Sequence, residues 1–152
     1  MDNKKINLNI TTPRGLKFVE KADMIIMRCI DGDLGVLNGH EPVSTVLGDG
    51  ILRIVNDGIE KKLAVFGGIA EIAANTVNIF STIAQRPEEI DHELAERQRE
   101  EAESILQEET EEVQIRSTHV LLRRSSVRLE VSLHLSDAED YSYDDENDNN
   151  KK

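Results

Sequence analysis

Five turn-forming residues crowd into positions 33–53, DLGVLNGHEPVSTVLGDGILR: Gly35, Gly39, Pro42, Gly48 and Gly50. Glycine takes φ > 0 freely, and proline fixes φ while removing a backbone donor. Short apolar runs between such residues read as strands joined by closely spaced turns. Spacing of this kind specifies a small β-sandwich or barrel.

The flanking segments agree. Ile6, Leu8 and Ile10 alternate with Asn7, Asn9 and Thr11, the period of a strand with one wet face. Met24-Ile25-Ile26-Met27 is a continuous apolar run and reads as a strand buried on both faces. Residues 51–55 and 59–66 flank Asn56-Asp57-Gly58, a hairpin signal, and 69–73 and 76–80 flank Asn75 in the same way. The pattern predicts an N-terminal antiparallel β-sandwich of about eight to ten strands over residues 1–86.

The composition then changes. No glycine follows Pro87, and Glu, Arg, Gln and Ala dominate up to Glu112. Pro87 suits the first turn of a helix, and Glu88, Glu89 and Asp91 favour its positive end. Leu94, Ala95, Ala102, Ile105 and Leu106 share one side at helical spacing. Residues 108–112 read as a turn, and a second helix is expected to about Leu135. That helix carries two stripes: Ile115, Leu122, Leu129 and Leu133 on one, Val113, Val120, Val127 and Val131 on the other. The expectation is a helical hairpin over 87–135, followed by an acidic disordered tail over 136–152 whose composition buries too little apolar surface to order it.

Aromatics are only 3% and Trp is absent, so the core must be aliphatic. No apolar run approaches the ~20 residues of a membrane helix, and the start, MDNKKINLNI, has no apolar signal-peptide core. A single cysteine excludes an internal disulfide and fits a reducing compartment. A net charge of −12 argues against nucleic acid or anionic lipid as direct partners. A role at a membrane would need another protein to hold the chain there.

Candidate chemistry is sparse. His40-Glu41 has no second His four residues on, so a loop histidine is preferred to a metal ligand. Asp31-Gly32-Asp33 lacks the downstream Gly and Glu of a calcium loop and reads as a turn. Cys29 has no neighbouring base and reads as a small buried hydrophobe. Gly67-Gly68 lacks a phosphate-cradling pattern. No Ser/His/Asp set has a spacing that suggests catalysis, so no catalytic residue, metal or cofactor is expected. Arg116, Arg123, Arg124 and Arg128 stand out in an acidic chain. They read either as a solvated face supported by acids at i,i+4 or as a surface for carboxylates on a partner.

Taken in order, these segments resemble the epsilon-subunit family of the F-type ATP synthase. The resemblance is carried by the 33–53 run with His40, Pro42, Thr45 and Gly50-Ile51-Leu52-Arg53-Ile54. It is carried further by Ala64-Val65-Phe66-Gly67-Gly68, Glu71, Val77, the run 84–91 (AQRPEEID), Ile10-Thr11-Thr12-Pro13 and Gly15, and it covers residues 6 to about 135. It implies a non-catalytic rotor subunit of the central stalk, peripheral at the cytoplasmic face of the cell membrane and held there only through the complex. The implied partners are the gamma subunit, the c-subunit ring and the catalytic alpha/beta hexamer. Thr12, His40 and Thr45 match the gamma-facing edge; Asp33 and Leu34 match the ring-facing loop. Arg123, Arg124 and Arg128 match a basic region that meets the beta subunit when the helices extend. The hairpin spans roughly 35 Å folded and on the order of 70 Å extended, enough to work as an arm that inhibits hydrolysis. Ile90, Asp91 and Ala95 match part of a family ATP-binding motif, but Leu94 replaces its arginine and cannot hold a phosphate, so no nucleotide binding is expected. The rival readings are a free-standing β-sandwich binding module with a helical dimerisation hairpin, and a metal-dependent barrel enzyme centred on His40.

Overall fold

The structure, a computed structural model, describes residues 4–108 and 110–148, with side chains described as far as His134. The chain divides into two compact units, residues 1–85 and 86–152.

The first unit is all β. Its strands are β1 (Ile6–Thr12), β2 (Gly15–Ala22), β3 (Met24–Cys29), β4 (Gly32–Leu37), β5 (Val43–Asn56), β6 (Ile59–Ala73), β7 (Thr76–Phe80) and β8 (Ile83–Gln85). The sheet runs β2-β1-β7-β6-β5-β3-β4, with β8 added to β6. All neighbours are antiparallel except β1 and β7. β5 and β6 are long enough to serve both halves of the sandwich. Their 43–47 and 68–72 segments pair together beside β7, β1 and β2. Their 49–56 and 59–66 segments pair beside β3, β4 and β8, and the end of β3 reaches the other segment of β5, with Cys29 opposite Leu47 and the Ile30 N–H donating to the Val46 carbonyl at 3.1 Å.

The ladder passes over Gly48 and Gly67 between these segments. Gly67 and Gly68 take φ of +67° and +116°, and a Cβ on Gly68 would stand 2.1 Å from the Phe80 carbonyl oxygen. Only glycine fits there. Ser81 closes the same corner. Its hydroxyl is buried 2.7 Å from the Gly67 carbonyl oxygen, so this carbonyl keeps a donor away from water. Three of the five residues read as turns between strands are corrected: Gly35 lies inside β4, paired with Ile26, and Gly48 and Gly50 are not turns either. Both lie inside the continuous β5, and Gly50 has no side chain because Arg28 of β3 crosses it: a Cβ there would be 2.6 Å from the Arg28 Cβ.

Ile6, Leu8 and Ile10 of β1 face inward with Ile25, Met27, Leu52, Ile54, Leu63, Val65, Ile72, Val77 and Ile79, all at most 4% exposed, in one aliphatic core. Cys29 is buried in it. β3 is a second correction: its burial alternates, with Ile25, Met27 and Cys29 inside and Met24 and Ile26 half-exposed, so the apolar run covers one buried and one partly wet face. Both expected hairpins are present. The 57–58 turn has φ of +52° and +77°, and the 74–75 turn has φ of +50° at Ala74 and +59° at Asn75, as tight two-residue hairpin loops of the mirror-image type require. Asp23 reaches the first of these. It accepts from the Asp57 N–H at 2.8 Å and from Lys5 Nζ at 2.6 Å, while Lys5 also reaches Asn56 and Asp57.

The second unit starts with a 3₁₀ turn, Pro87–Glu89, capped by Glu89 Oε2 on the Arg86 N–H at 2.8 Å. Helix α1 (His92–Glu108) and helix α2 (Glu112–Asp148) follow. Asp91 caps α1 by accepting from the Leu94 N–H at 3.0 Å. The helices pack on each other, and the buried positions on α1 are Ala95 and Ala102. On α2 they include Thr118, Ser125 and Leu129. Small residues let two helices approach closely, which explains why Leu94 and Leu133, assigned to the apolar stripes by periodicity, are 43% and 55% exposed instead. The valine stripe is graded: Val113 and Val120 are exposed, Val127 is half-buried and Val131 is fully buried. The backbone of α2 continues past Leu135, where the sequence pattern placed its end, to Asp148; extending an existing helix fixes one residue per added bond, so polar residues can follow. The expected acidic tail otherwise falls on side chains and terminal residues outside those described.

Candidate functional site

The outward face of the β2-β1-β7-β6-β5 half is where the sandwich departs from the wet-face rule. The register aligns Val46 with Ile69, Ile69 with Phe80, Phe80 with Thr11 and Thr11 with Leu16, in one row across five strands. Four of these residues are apolar and all four are well exposed: Leu16 at 64%, Val46 and Ile69 at 49%, Phe80 at 47%. Their strand neighbours Leu47, Ala70 and Ile79 point the other way, into the core. A contiguous apolar strip on an otherwise highly charged protein marks an interaction surface. Sequence reading missed it because no single strand shows it. The available signal was the apolar pairs Val46-Leu47, Ile69-Ala70 and Ile79-Phe80, which put an apolar side chain on both faces of each strand.

Thr12, His40 and Thr45 lie in the same half-sheet and its β4–β5 loop without meeting, and Thr45 is on the side opposite the apolar row, across from Ala70 and two residues from Leu47, both buried. Thr12 closes β1, where its Oγ1 accepts from the Arg14 N–H at 3.3 Å. Thr45 pairs with Ala70, three strands away from β1, a separation of about 14 Å at ~4.8 Å per strand. His40 is half-buried in the β4–β5 loop, with Nδ1 2.7 Å from the Glu41 carbonyl oxygen. That loop is tied to the far end of the half-sheet, where Gly39 N–H donates to Asn75 Oδ1 at 2.9 Å.

The β3–β4 hairpin presents a second surface. Asp33 is opposite Arg28 in the ladder, with its carboxylate 3.3 Å from the guanidinium, both exposed. Leu34 leans onto the core and is only partly available. Ile30, at the tip between these strands, is 72% exposed. Sequence reading passed over Ile30 because it adjoins Cys29 in an apolar run.

On α2 the arginines do not make one face. Arg124 and Arg128, four residues apart, lie about 40° apart around the axis, and Arg123 lies about 100° from Arg124. Burial follows that split: Arg123 is exposed, Arg124 and Arg128 are half-buried and already engaged. Arg116 pairs with Glu112 one turn earlier. The residues matching the nucleotide motif have local roles: Asp91 caps α1, Ala95 is buried in the helix seam, and Ile90 ends the 3₁₀ turn. Among the described residues no group of three or more His, Cys, Asp or Glu side chains is placed to hold a metal, and no helix is long and apolar enough to cross a membrane.

Comparison with known proteins bears on most of the chain. Residues 5–87 match the family model described as ATP synthase, Delta/Epsilon chain, beta-sandwich domain. The chain is similar to the ATP synthase epsilon chain of Caldicellulosiruptor saccharolyticus, 41% identical over 103 residues that cover 68% of this chain and 75% of the relative. It is similar to that of Herpetosiphon aurantiacus, 35% identical over 127 residues, covering 84% and 93%. Among solved structures it resembles a chain of the Euglena gracilis mitochondrial ATP synthase, OSCP/F1/c-ring in rotational state 1, with a TM-score of 0.72, 32% identity and coverage of 86% and 82%.

Proposed function

The chain belongs to the epsilon-chain family of the F-type ATP synthase, non-catalytic subunits of the central stalk, and from that premise we propose how its surfaces divide the work. The outward β face docks on the gamma subunit. The observation that carries this is the exposed row Leu16, Phe80, Ile69 and Val46; Thr12, Thr45 and His40 lie in the same half-sheet and its β4–β5 loop. Apolar area of that kind suits a permanent contact with a protein. The β3–β4 tip, with Ile30, Asp33 and Leu34, meets the ring of c subunits. The chain sits at the cytoplasmic face of the membrane, held there by these protein contacts.

The helical unit acts as an arm. Helix α2 has 37 residues, about 55 Å at 1.5 Å per residue, so a hairpin that opens reaches well past its folded length. Arg123, exposed when the hairpin is closed, and Arg124 and Arg128, released on opening, then meet carboxylates of the catalytic hexamer and hinder hydrolysis. Charge-assisted arginine–carboxylate pairs inside an interface are strong enough to hold such a state. The test compares ATP hydrolysis by assembled complexes carrying the full chain, an R123A/R124A/R128A chain, and a chain ending at Arg86. Both altered complexes should hydrolyse faster while still assembling. Activation by the deletion alone would assign inhibition to the bulk of the helix, and activation by neither would reject the arm.

A further inference from the structure

We propose that His92 and Ser132 form a clasp across the mouth of the helical hairpin, and that its breaking sets how readily the hairpin opens; this rests on the reading of the hairpin as a moving arm. The helices turn back on each other near residue 110, so the loop end is tethered by the chain itself. The opposite end, where α1 begins at His92, has no such tether and must part first.

The middle of the helical hairpin is built from small residues, Ala95, Ala102, Thr118 and Ser125, which bury little apolar area each, while Leu129 and Val131 add apolar burial on α2 close to Ser132. The hydroxyls turn back on their own helix: Thr118 Oγ1 donates to the Gln114 carbonyl at 2.8 Å, Ser125 Oγ to that of Leu122 at 3.0 Å, and Ser132 Oγ to that of Leu129 at 2.8 Å. Ser132 differs from the other two in having a partner across the seam, His92 Nδ1 at 2.8 Å.

The clasp is one hydrogen bond in either imidazole tautomer: Nδ1–H donates to Ser132 Oγ, or the Ser132 hydroxyl turns from Leu129 and donates to Nδ1. Asp91 caps the first turn beside His92, and Nε2 lies 4.0 Å from Glu96 Oε2 one turn on.

The test is a double-mutant cycle in the full chain: His92→Phe, Ser132→Ala and both, read by amide hydrogen exchange over residues 95–99. A net hydrogen bond of ordinary strength corresponds to roughly 2–10-fold in the opening equilibrium. Each single variant should speed exchange by that factor. The double variant should be no faster than the faster single one, and His92→Asn, which keeps an N–H near the Nδ1 position, should restore much of the protection. Additive effects, or Asn exchanging as fast as Phe, would overturn the clasp. In assembled complexes, His92→Phe should lower ATP hydrolysis by favouring the open arm. If hairpin deletion raises hydrolysis and His92→Phe leaves it unchanged, the clasp does not regulate. If the deletion also changes nothing, the arm itself is wrong and the proposal falls with it.

Discussion

Phe80→Thr gives the most direct test of the docking face. Phe80 is 47% exposed and sits in the middle of the apolar row, between Ile69 and Thr11. A phenylalanine presents roughly 200 Å², so about 90 Å² is open to a partner. At ~25 cal/mol/Å² its full burial is worth ~2 kcal/mol, roughly a 30-fold change in Kd. Threonine keeps the strand propensity and the backbone ladder of β7, and the core-facing side chain at Ile79 is untouched, so unfolding free energy should move by about 1 kcal/mol or less. The assay is calorimetric titration of the purified chain with the gamma subunit. Ile59→Thr is the control, since Ile59 is 66% exposed but belongs to the other end of β6. A loss of less than threefold for Phe80→Thr, or a loss equal to the control's, with circular dichroism unchanged, would refute the assignment of this face to gamma.

Three further expectations concern stability. Ser81→Ala removes the buried hydroxyl that serves the part-buried Gly67 carbonyl and should lower unfolding free energy by about 1 kcal/mol in urea titrations; no loss would mean that the corner finds another donor. Ala74→Asn places a residue that tolerates the left-handed region at φ +50° and should raise the urea midpoint, by about 0.5–1 kcal/mol of stability. The Lys5–Asp23–Asp57 group should stabilise only over a pH window. Hydrogen bonds from Lys5 first, then from the Asp57 N–H, hold the Asp23 carboxyl below its ordinary 3.8, so its contribution is present above that value and is lost as pH falls through the lowered one. Hydrogen bonds to Asp23 first and then Asp57 hold the Lys5 ammonium above its ordinary 10.5, so that contribution is present below 10.5 and is lost as pH rises past the raised value. Asp23→Asn should therefore be less stable than the parent at neutral pH, with the gap closing in acid.

Local chemistry was legible in the sequence, and long-range alignment was not. The alternation of β1 and the turns at Asp57-Gly58 and Ala74-Asn75 depend on a few adjacent residues, and they fold as their pattern predicts. Gly50 misled because a glycine required by a crossing side chain looks the same in sequence as one required by a turn; only the passage of Arg28 over it distinguishes the two. The apolar row arises from register between β5, β6, β7, β1 and β2, and β1 and β7 are more than sixty residues apart in the chain. In the helices, hydropathy picked out Ala95, Ala102, Leu129 and Val131, which are buried, but also Leu94 and Leu133, which are exposed, and it passed over Thr118 and Ser125, which are buried for their small size rather than their hydropathy. Ser132 and His92 carry no pattern at all until the two helices are laid side by side.

β5 and β6 never stop between the two halves of the sandwich. A part that turns between two others must pass torque from one attachment to the next without slipping. Had the halves been joined by loops, the load would fall on a side-chain interface that can shear. On the proposed attachments, a force entering at Ile69 and Val46 passes through the β6–β5 ladder and straight to the β3–β4 tip, because Cys29 pairs with Leu47 and the Ile30 N–H donates to the Val46 carbonyl at 3.1 Å. Slack along that route would require many backbone hydrogen bonds to break together, so the sandwich serves as a stiff coupling, and compliance in the molecule is left to its helices.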